Sequence, residues 1–271
     1  MCKLVSICIP SLNRSVYLLE SLKSIYGQED HDLNFEVCIS NNASNEDYSE
    51  VETYIKKTQE TYHNINYVVQ EKRIPLDEHH HFVNEMAKGD YIYFLGDDDC
   101  FFSDSFKNIS LLLKENDVDL AIFNGVKIDK IGNYVGKHFS LKPKVYEDFA
   151  HAFLELKDKS SFGAILVKKK YLSDENFKLL YGSSHAFCCF WLSLMNYNKW
   201  DFNIVIPSFD CIKLRRIEKN YSRSSVFYED VIFYINTLYN NVLSDEGRNL
   251  IEIFKREHHE TIYSIPFMSY V

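Results

Sequence analysis

The sequence predicts an α/β chain in which a mostly parallel central sheet is flanked by helices, with a helical extension toward the C-terminus. Two observations carry this reading. Short apolar runs alternate with segments whose apolar residues recur at helical spacing, and polar clusters stand where successive apolar runs end. Residues 4–9 form an apolar run closed by Pro10, the pattern of a buried strand. Leu18, Leu19, Leu22 and Ile25 then repeat at helical spacing. Residues 35–39 read as a second strand, and Val51, Tyr54 and Ile55 fit a second helix. A third strand covers 65–69, and a third helix covers 82–87 and stops at Gly89. Residues 91–95 form a fourth strand that runs directly into Gly96, Asp97, Asp98 and Asp99. A helix over 106–113 and a strand over 120–123 follow. Such alternation with short links implies a parallel sheet covered on both faces. In open sheets of this kind, ligands sit beyond the carboxyl ends of the strands. Three polar clusters lie there, at residues 11–14, 40–44 and 97–99.

The second half is less regular. Residues 126–139 read as a hairpin turning at Gly132 and Asn133, and 146–156 as a helix. A strand over 162–167 follows, and Gly182, Ser183 and Ser184 precede an apolar helix over 185–196. A strand at 204–206 and two helices, near 227–240 and 246–258, complete the chain.

A chain of 271 residues suits one large domain, and its 46% apolar content is ample for a core. The net charge of −9 opposes binding to polyanions, so no nucleic-acid partner is expected. Seven cysteines, odd in number and without a CxxC pair, read as buried reduced thiols of a cytoplasmic protein. Residues 1–3 lead straight into an apolar strand, so no signal peptide is expected. No run approaches the roughly 18–20 apolar residues of a spanning helix, which leaves at most peripheral contact with the inner face of a membrane.

Three consecutive aspartates after a buried strand repel one another unless one is protonated or a cation binds. Oxygen-only ligands suit hard cations, here Mn²⁺ or Mg²⁺. The alternative is a solvated acidic loop, with Asp104 capping the next helix.

These residues carry a family resemblance. The segment Val5-Ser6-Ile7-Cys8-Ile9-Pro10-Ser11-Leu12-Asn13-Arg14 resembles the opening strand and loop of family 2 glycosyltransferases with the GT-A fold. Ile39-Ser40-Asn41-Asn42-Ala43-Ser44 is similar to that family's second nucleotide-binding loop. The segment from Ala87 to Asp99 resembles its DxD region, in the form found in O-antigen sugar transferases such as abequosyltransferases. The resemblance covers residues 3–125 well and the rest loosely. It implies a nucleotide-sugar-binding half, 1–125, and an acceptor-side half, 126–271. It also implies that Asp99 ligates the metal with help from Asp97, and that Asp98 approaches the ribose or diphosphate. Pro10, Ser11 and Asn13 then line the nucleoside pocket with Asn41 and Asn42. Asn41 stands where the family has a base-contacting aspartate, and Arg73 where some relatives place a nucleotide-contacting arginine; a surface charge is the other reading of Arg73. UDP is the default donor nucleotide, with GDP, CDP and dTDP open. The acceptor implied is a glycan or lipid-linked glycan of a surface polysaccharide (O-antigen, lipooligosaccharide or capsule), and the implied outcome is inversion.

The family's Glu-Asp pair, whose Asp is the general base, aligns with Ala186 and Phe187, so the expected carboxylate is missing. His185, just before them at a helix start, is the substitute candidate, against the alternative of a polar cap residue. Glu229-Asp230 reads as a solvated helix face. Consecutive His79, His80 and His81 cannot all ligate one ion from a helix. Lys213, Arg215 and Arg216, with Arg223, read as a surface strand end or as a binder of phosphate. The tail from Tyr263 to Tyr270 reads as a packing or contact segment. Two rival functions remain: a sugar nucleotidyltransferase, disfavoured because residues 10–14 lack glycine, and a catalytically idle nucleotide-sugar-binding module.

Overall fold

The first apolar run becomes β1 (Leu4–Ser11), extended past Pro10 because it stays in parallel register with its neighbour as far as Ser11. The structure, a computed structural model, describes residues 3–197, 200–216 and 229–264. After β1 come α1 (Ser15–Tyr26), β2 (Asn34–Asn41), α2 (Ser49–Gln59), β3 (Ile65–Val69), α3 (Leu76–Met86) and β4 (Tyr91–Phe94). The chain continues through β5 (Cys100–Phe101), α4 (Ser105–Glu115), β6 (Leu120–Ile122), β7 (Asn124–Ile128), β8 (Tyr134–Lys137) and β9 (Lys144–Tyr146). It then forms α5 (Phe149–Leu156), β10 (Ile165–Lys168), α6 (Asp174–Leu179), α7 (Phe190–Met195), β11 (Ile204–Ile206) and β12 (Asp210–Arg215). Two helices, α8 (Asp230–Asn241) and α9 (Asp245–Ser264), close it.

The main sheet has the order β3-β2-β1-β4-β10-β6-β11-β9, and a smaller one has the order β5-β12-β7-β8. In the main sheet β10 runs antiparallel to both β4 and β6, and β9 antiparallel to β11, while the other pairs are parallel, so the sheet is mostly parallel as expected. Because β10 comes from the second half of the chain and sits between β4 and β6, the halves 1–125 and 126–271 share one sheet. Strand alternation sends side chains to two cores. Cys8, Cys38, Ile92, Phe94, Ile122 and Val167 pack on one face, with α3, α5 and α7–α9. Ile7, Ile9, Val37, Ile39, Tyr93 and Leu166 pack on the other, with α1, α2 and α4. The chain reverses its order of laying strands at β1, between β2 and β4, the kind of switch point beyond whose carboxyl ends ligands sit in open sheets.

Elsewhere local chemistry moved the boundaries. The helix expected from residue 146 starts at Phe149, because Asp148 accepts from the backbone of Ala150 and His151, and 144–146 pair with β11 instead. The strand expected from 162 starts at Ile165, after Gly163 at φ 88°. The helix expected over 185–196 opens as a 3-10 turn, Ala186–Cys189, before α7. The hairpin is present, with Val126 opposite Lys137. Arg223 and residues 265–270 lie outside the described residues, as does residue 227, the expected start of the first C-terminal helix. Among the described residues the cysteines are free, and all but the half-buried Cys100 are buried. No helix among them is long and apolar enough to cross a membrane.

Gly89, just before β4, lies against β1: a Cβ there would stand 2.6 Å from Ser6 Oγ and 2.7 Å from the Leu4 carbonyl. Gly89→Ala is expected to destabilise the fold by about 1–3 kcal/mol in urea unfolding, by overpacking the strand pair that carries the site.

Candidate active site

Asp97, Asp98 and Asp99 follow β4 directly and are 4, 7 and 6% exposed. Two arginines face them. Arg14, preceding α1, places Nη1 3.1 Å from Asp97 Oδ1 and 3.3 Å from Asp98 Oδ2. Arg215, at the end of β12, donates its backbone N–H to Asp99 Oδ1 at 2.9 Å and its Nε–H to the Asp98 carbonyl at 3.0 Å. Its Nη1 donates to the Lys130 carbonyl at 2.9 Å, its Nη2 pairs with Glu20, and its guanidinium lies over the Tyr17 ring. Arg215 is therefore buried on the acidic cluster and not at a surface strand end. The sequence signal was present in the basic run at 213–216, but β12's place in the smaller sheet was not.

The first two loops meet this cluster. The Leu12 N–H donates to Asp97 Oδ2 at 3.2 Å. Tyr48 Oη gathers the loops: it lies 2.8 Å from Ser11 Oγ and receives the Arg14 N–H at 3.2 Å. Asn13 takes the left-handed region at φ 54° and exchanges bonds with the second loop, donating its N–H to Ser44 Oγ and accepting from the Asn45 N–H. Asn41 accepts from the Ser44 N–H and donates to Tyr67 Oη, so it uses both sides of its amide where a carboxylate could only accept. Asn42 makes a reciprocal pair with the backbone of Ile74, 2.9 Å each way, which tethers the loop bearing the exposed Arg73.

The donor type of the cluster suits a hard divalent cation. Its donors are carboxylate oxygens, and glycines keep space beside them: a Cβ on Gly96 or Gly163 would stand 2.6 or 2.8 Å from Asp99 Oδ2. Burial pushes the Asp97 carboxyl up to about 6, against the pull of Arg14 and with a further push from Asp98. A buried carboxylate held so high is short of positive charge.

His185 lies on another segment, just before the 3-10 turn Ala186–Cys189. Its N–H donates to Ser183 Oγ at 3.0 Å, and its ring lies 5.8 Å from that of Tyr234. Asp77, which sequence reasoning missed, holds the turn. Its carboxylate accepts from Gly182 and Ser184 at 2.9 and 3.0 Å and from Ala186 at 3.3 Å. A carboxylate thus takes up the amide groups of the turn on which His185 sits. Burial raises the Asp77 pKa, and nearby Asp230 raises it further; Asp230 is half-buried, not a fully solvated face. The three consecutive histidines separate as expected. His79 bonds to the Ser40 carbonyl, and His80 stacks on Phe162; burial lowers them to about 4 and about 3. His81, Glu85 and Asp174 bring ligand atoms within 4.8 Å of one another, but both ring nitrogens of His81 already face partners, Tyr181 Oη and Asp174 Oδ1.

Comparison with known proteins matches this geometry to a class. Residues 6–192 match the model of glycosyl transferase family 2, and the chain belongs to that family. It is similar to an abequosyltransferase of Salmonella typhimurium, 36% identical over 104 residues, covering 38% of this chain and 30% of that one. A GalNAc(5)-diNAcBac-PP-undecaprenol beta-1,3-glucosyltransferase of Campylobacter jejuni is 29% identical over 177 residues, 64% of this chain and 54% of that one. The matched segments thus span from under a third to about half of these relatives. Crystal structures of S. aureus TarS share the GT-A fold: the 1–349 form superposes with TM-score 0.71 at 15% identity over 99% of this chain and 75% of that one. The UDP-GlcNAc complex superposes with the same score, over 96% and 73%.

With the Asp97 pKa raised in the fold, its contribution to stability is present below about pH 4 and is lost as pH rises through about 6. Asp97→Asn, which cannot ionise, is expected to stabilise the metal-free protein at pH 8 by on the order of 2 kcal/mol and far less at pH 4, read by urea unfolding at both pH values. Equal stability of the two proteins at pH 8 would contradict the assignment.

Proposed function

We propose that the chain transfers one sugar from a nucleoside-diphosphate donor to a surface-glycan acceptor, with inversion at the anomeric carbon. The observation that carries the reading is the convergence of Asp97–Asp99 with the 11–14 and 41–45 loops at the switch point of the sheet. Asp99 and Asp97 are the residues to hold a divalent cation, which when bound supplies stabilisation of the negative charge that develops on the leaving diphosphate. Asp98 lies beside them toward the ribose or diphosphate. Pro10, Ser11, Asn13, Asn41 and Asn42 form the nucleoside side, and Arg73 stands on the adjoining loop. Mn²⁺ or Mg²⁺ fits the oxygen donors, and UDP is the first nucleotide to test, as TarS was solved with UDP and with UDP-GlcNAc.

Residues from 126 onward form the acceptor side. The C. jejuni relative, whose name specifies an undecaprenol-linked acceptor, supports a lipid-linked glycan here. His185 is the proposed general base: its turn carries Ala186 and Phe187 where the family has its carboxylate pair, and its imidazole would take the acceptor hydroxyl proton during attack. The Asp77 carboxylate orients that turn through three backbone bonds.

A thermal-shift comparison of UDP, GDP, CDP and dTDP, each with and without Mn²⁺, tests the donor site. One nucleotide is expected to raise Tm by several degrees only with Mn²⁺, and Asp99→Ala to abolish the response. An equal response to all four, or none with metal, counts against the reading. His185→Gln is expected to slow turnover roughly 10²- to 10⁴-fold with the donor KM unchanged. Full activity in that variant removes His185 from the chemistry.

A further inference from the structure

The two guanidiniums on the aspartates differ in freedom. The Arg215 side chain is 2% exposed and is engaged on several sides, by Asp98, Asp129, Lys130, Glu20 and the face of Tyr17. The Arg14 backbone N–H meets Tyr48 Oη at 3.2 Å. Its side chain is 26% exposed, and Nη1 is its bonded guanidinium atom, held between Asp97 Oδ1 and Asp98 Oδ2 at 3.1 and 3.3 Å. Among the described residues, Nε and Nη2 have no hydrogen-bond partner.

Charge reinforces the distinction. A cation ligated by Asp97 approaches the same carboxylate that Arg14 Nη1 already holds, so the two compete. A diphosphate reverses the balance, because phosphate oxygens match the planar donor pair of a guanidinium.

We infer that Arg14 is a displaceable counter-ion that couples the two ligands of the site: it holds Asp97 and Asp98 until a divalent cation takes them, and then passes to the donor's diphosphate. The inference rests on the proposed donor site. The cation releases the arginine that grips the nucleotide, and by linkage the nucleotide strengthens cation binding by the same factor. Arg215, too engaged to leave, keeps Asp98 and Asp99 in place throughout.

The test is calorimetry on the whole chain, titrating Mn²⁺ alone and then each of UDP, GDP, CDP and dTDP in saturating Mn²⁺. Arg14→Gln is expected to bind Mn²⁺ alone at least about fivefold more tightly, and the preferred nucleoside diphosphate at least about tenfold more weakly. Arg14→Lys, which keeps the charge but not the fork, is expected to restore the weaker Mn²⁺ affinity and only part of the nucleotide affinity. A purely structural arginine would weaken both ligands together. Mn²⁺ affinity that is unchanged or weaker in Arg14→Gln overturns the inference and leaves the donor site standing. No Mn²⁺ binding by the unaltered chain with any of the four nucleotides overturns the donor-site reading, and the inference with it.

Discussion

Three adjacent carboxylates cannot be withdrawn from water unless positive charge is brought to them, and the loop after β4 meets that demand from both ends of the chain. Arg14 comes from the first strand–helix junction and Arg215 from a strand more than a hundred residues later. The cost of burying these charges explains why so many backbone groups point at them. The Leu12 N–H, the Arg215 N–H and the Arg14 guanidinium all spend donors on this acidic loop. It also explains why glycines stand at 96 and 163, where any side chain would fill the space beside Asp99.

Much of this was legible in the sequence, and the reason is local. Apolar runs such as 4–9 and 91–95 are buried on both faces, so composition alone marks them as strands, and the polar residues that follow must then lie at a sheet edge. Asp97–Asp99, Ser11 and Asn13 were found in this way. What could not be read was long-range. Nothing near Arg215 announces that its strand pairs with both β5 and β7, because that register depends on residues around 100 and 125. The reversed direction of β10 was hidden for the same reason: its apolar run suits either orientation.

The His185 turn shows a different limit. Its glycine and serines mark a break correctly, and Gly182 at φ 88° and Ser184 at φ 56° bear this out. The partner that fixes the break is Asp77, more than a hundred residues earlier, in a segment whose three histidines attract more notice than the aspartate before them. The amide groups that a helix start would leave open are here taken up by a buried carboxylate from another helix.

Because the backbone of β12 itself grips Asp99, the second half of the chain is not a detachable module. A chimera that keeps residues 1–125 and borrows the remainder from a relative would remove Arg215 from the acidic loop and β10 from its place beside β4. Such grafts would need to retain the 163–168 and 210–215 segments and exchange only what lies between and beyond them. The natural junction for exchanging parts of the chain therefore runs through loops and helices, not between the halves of the sequence.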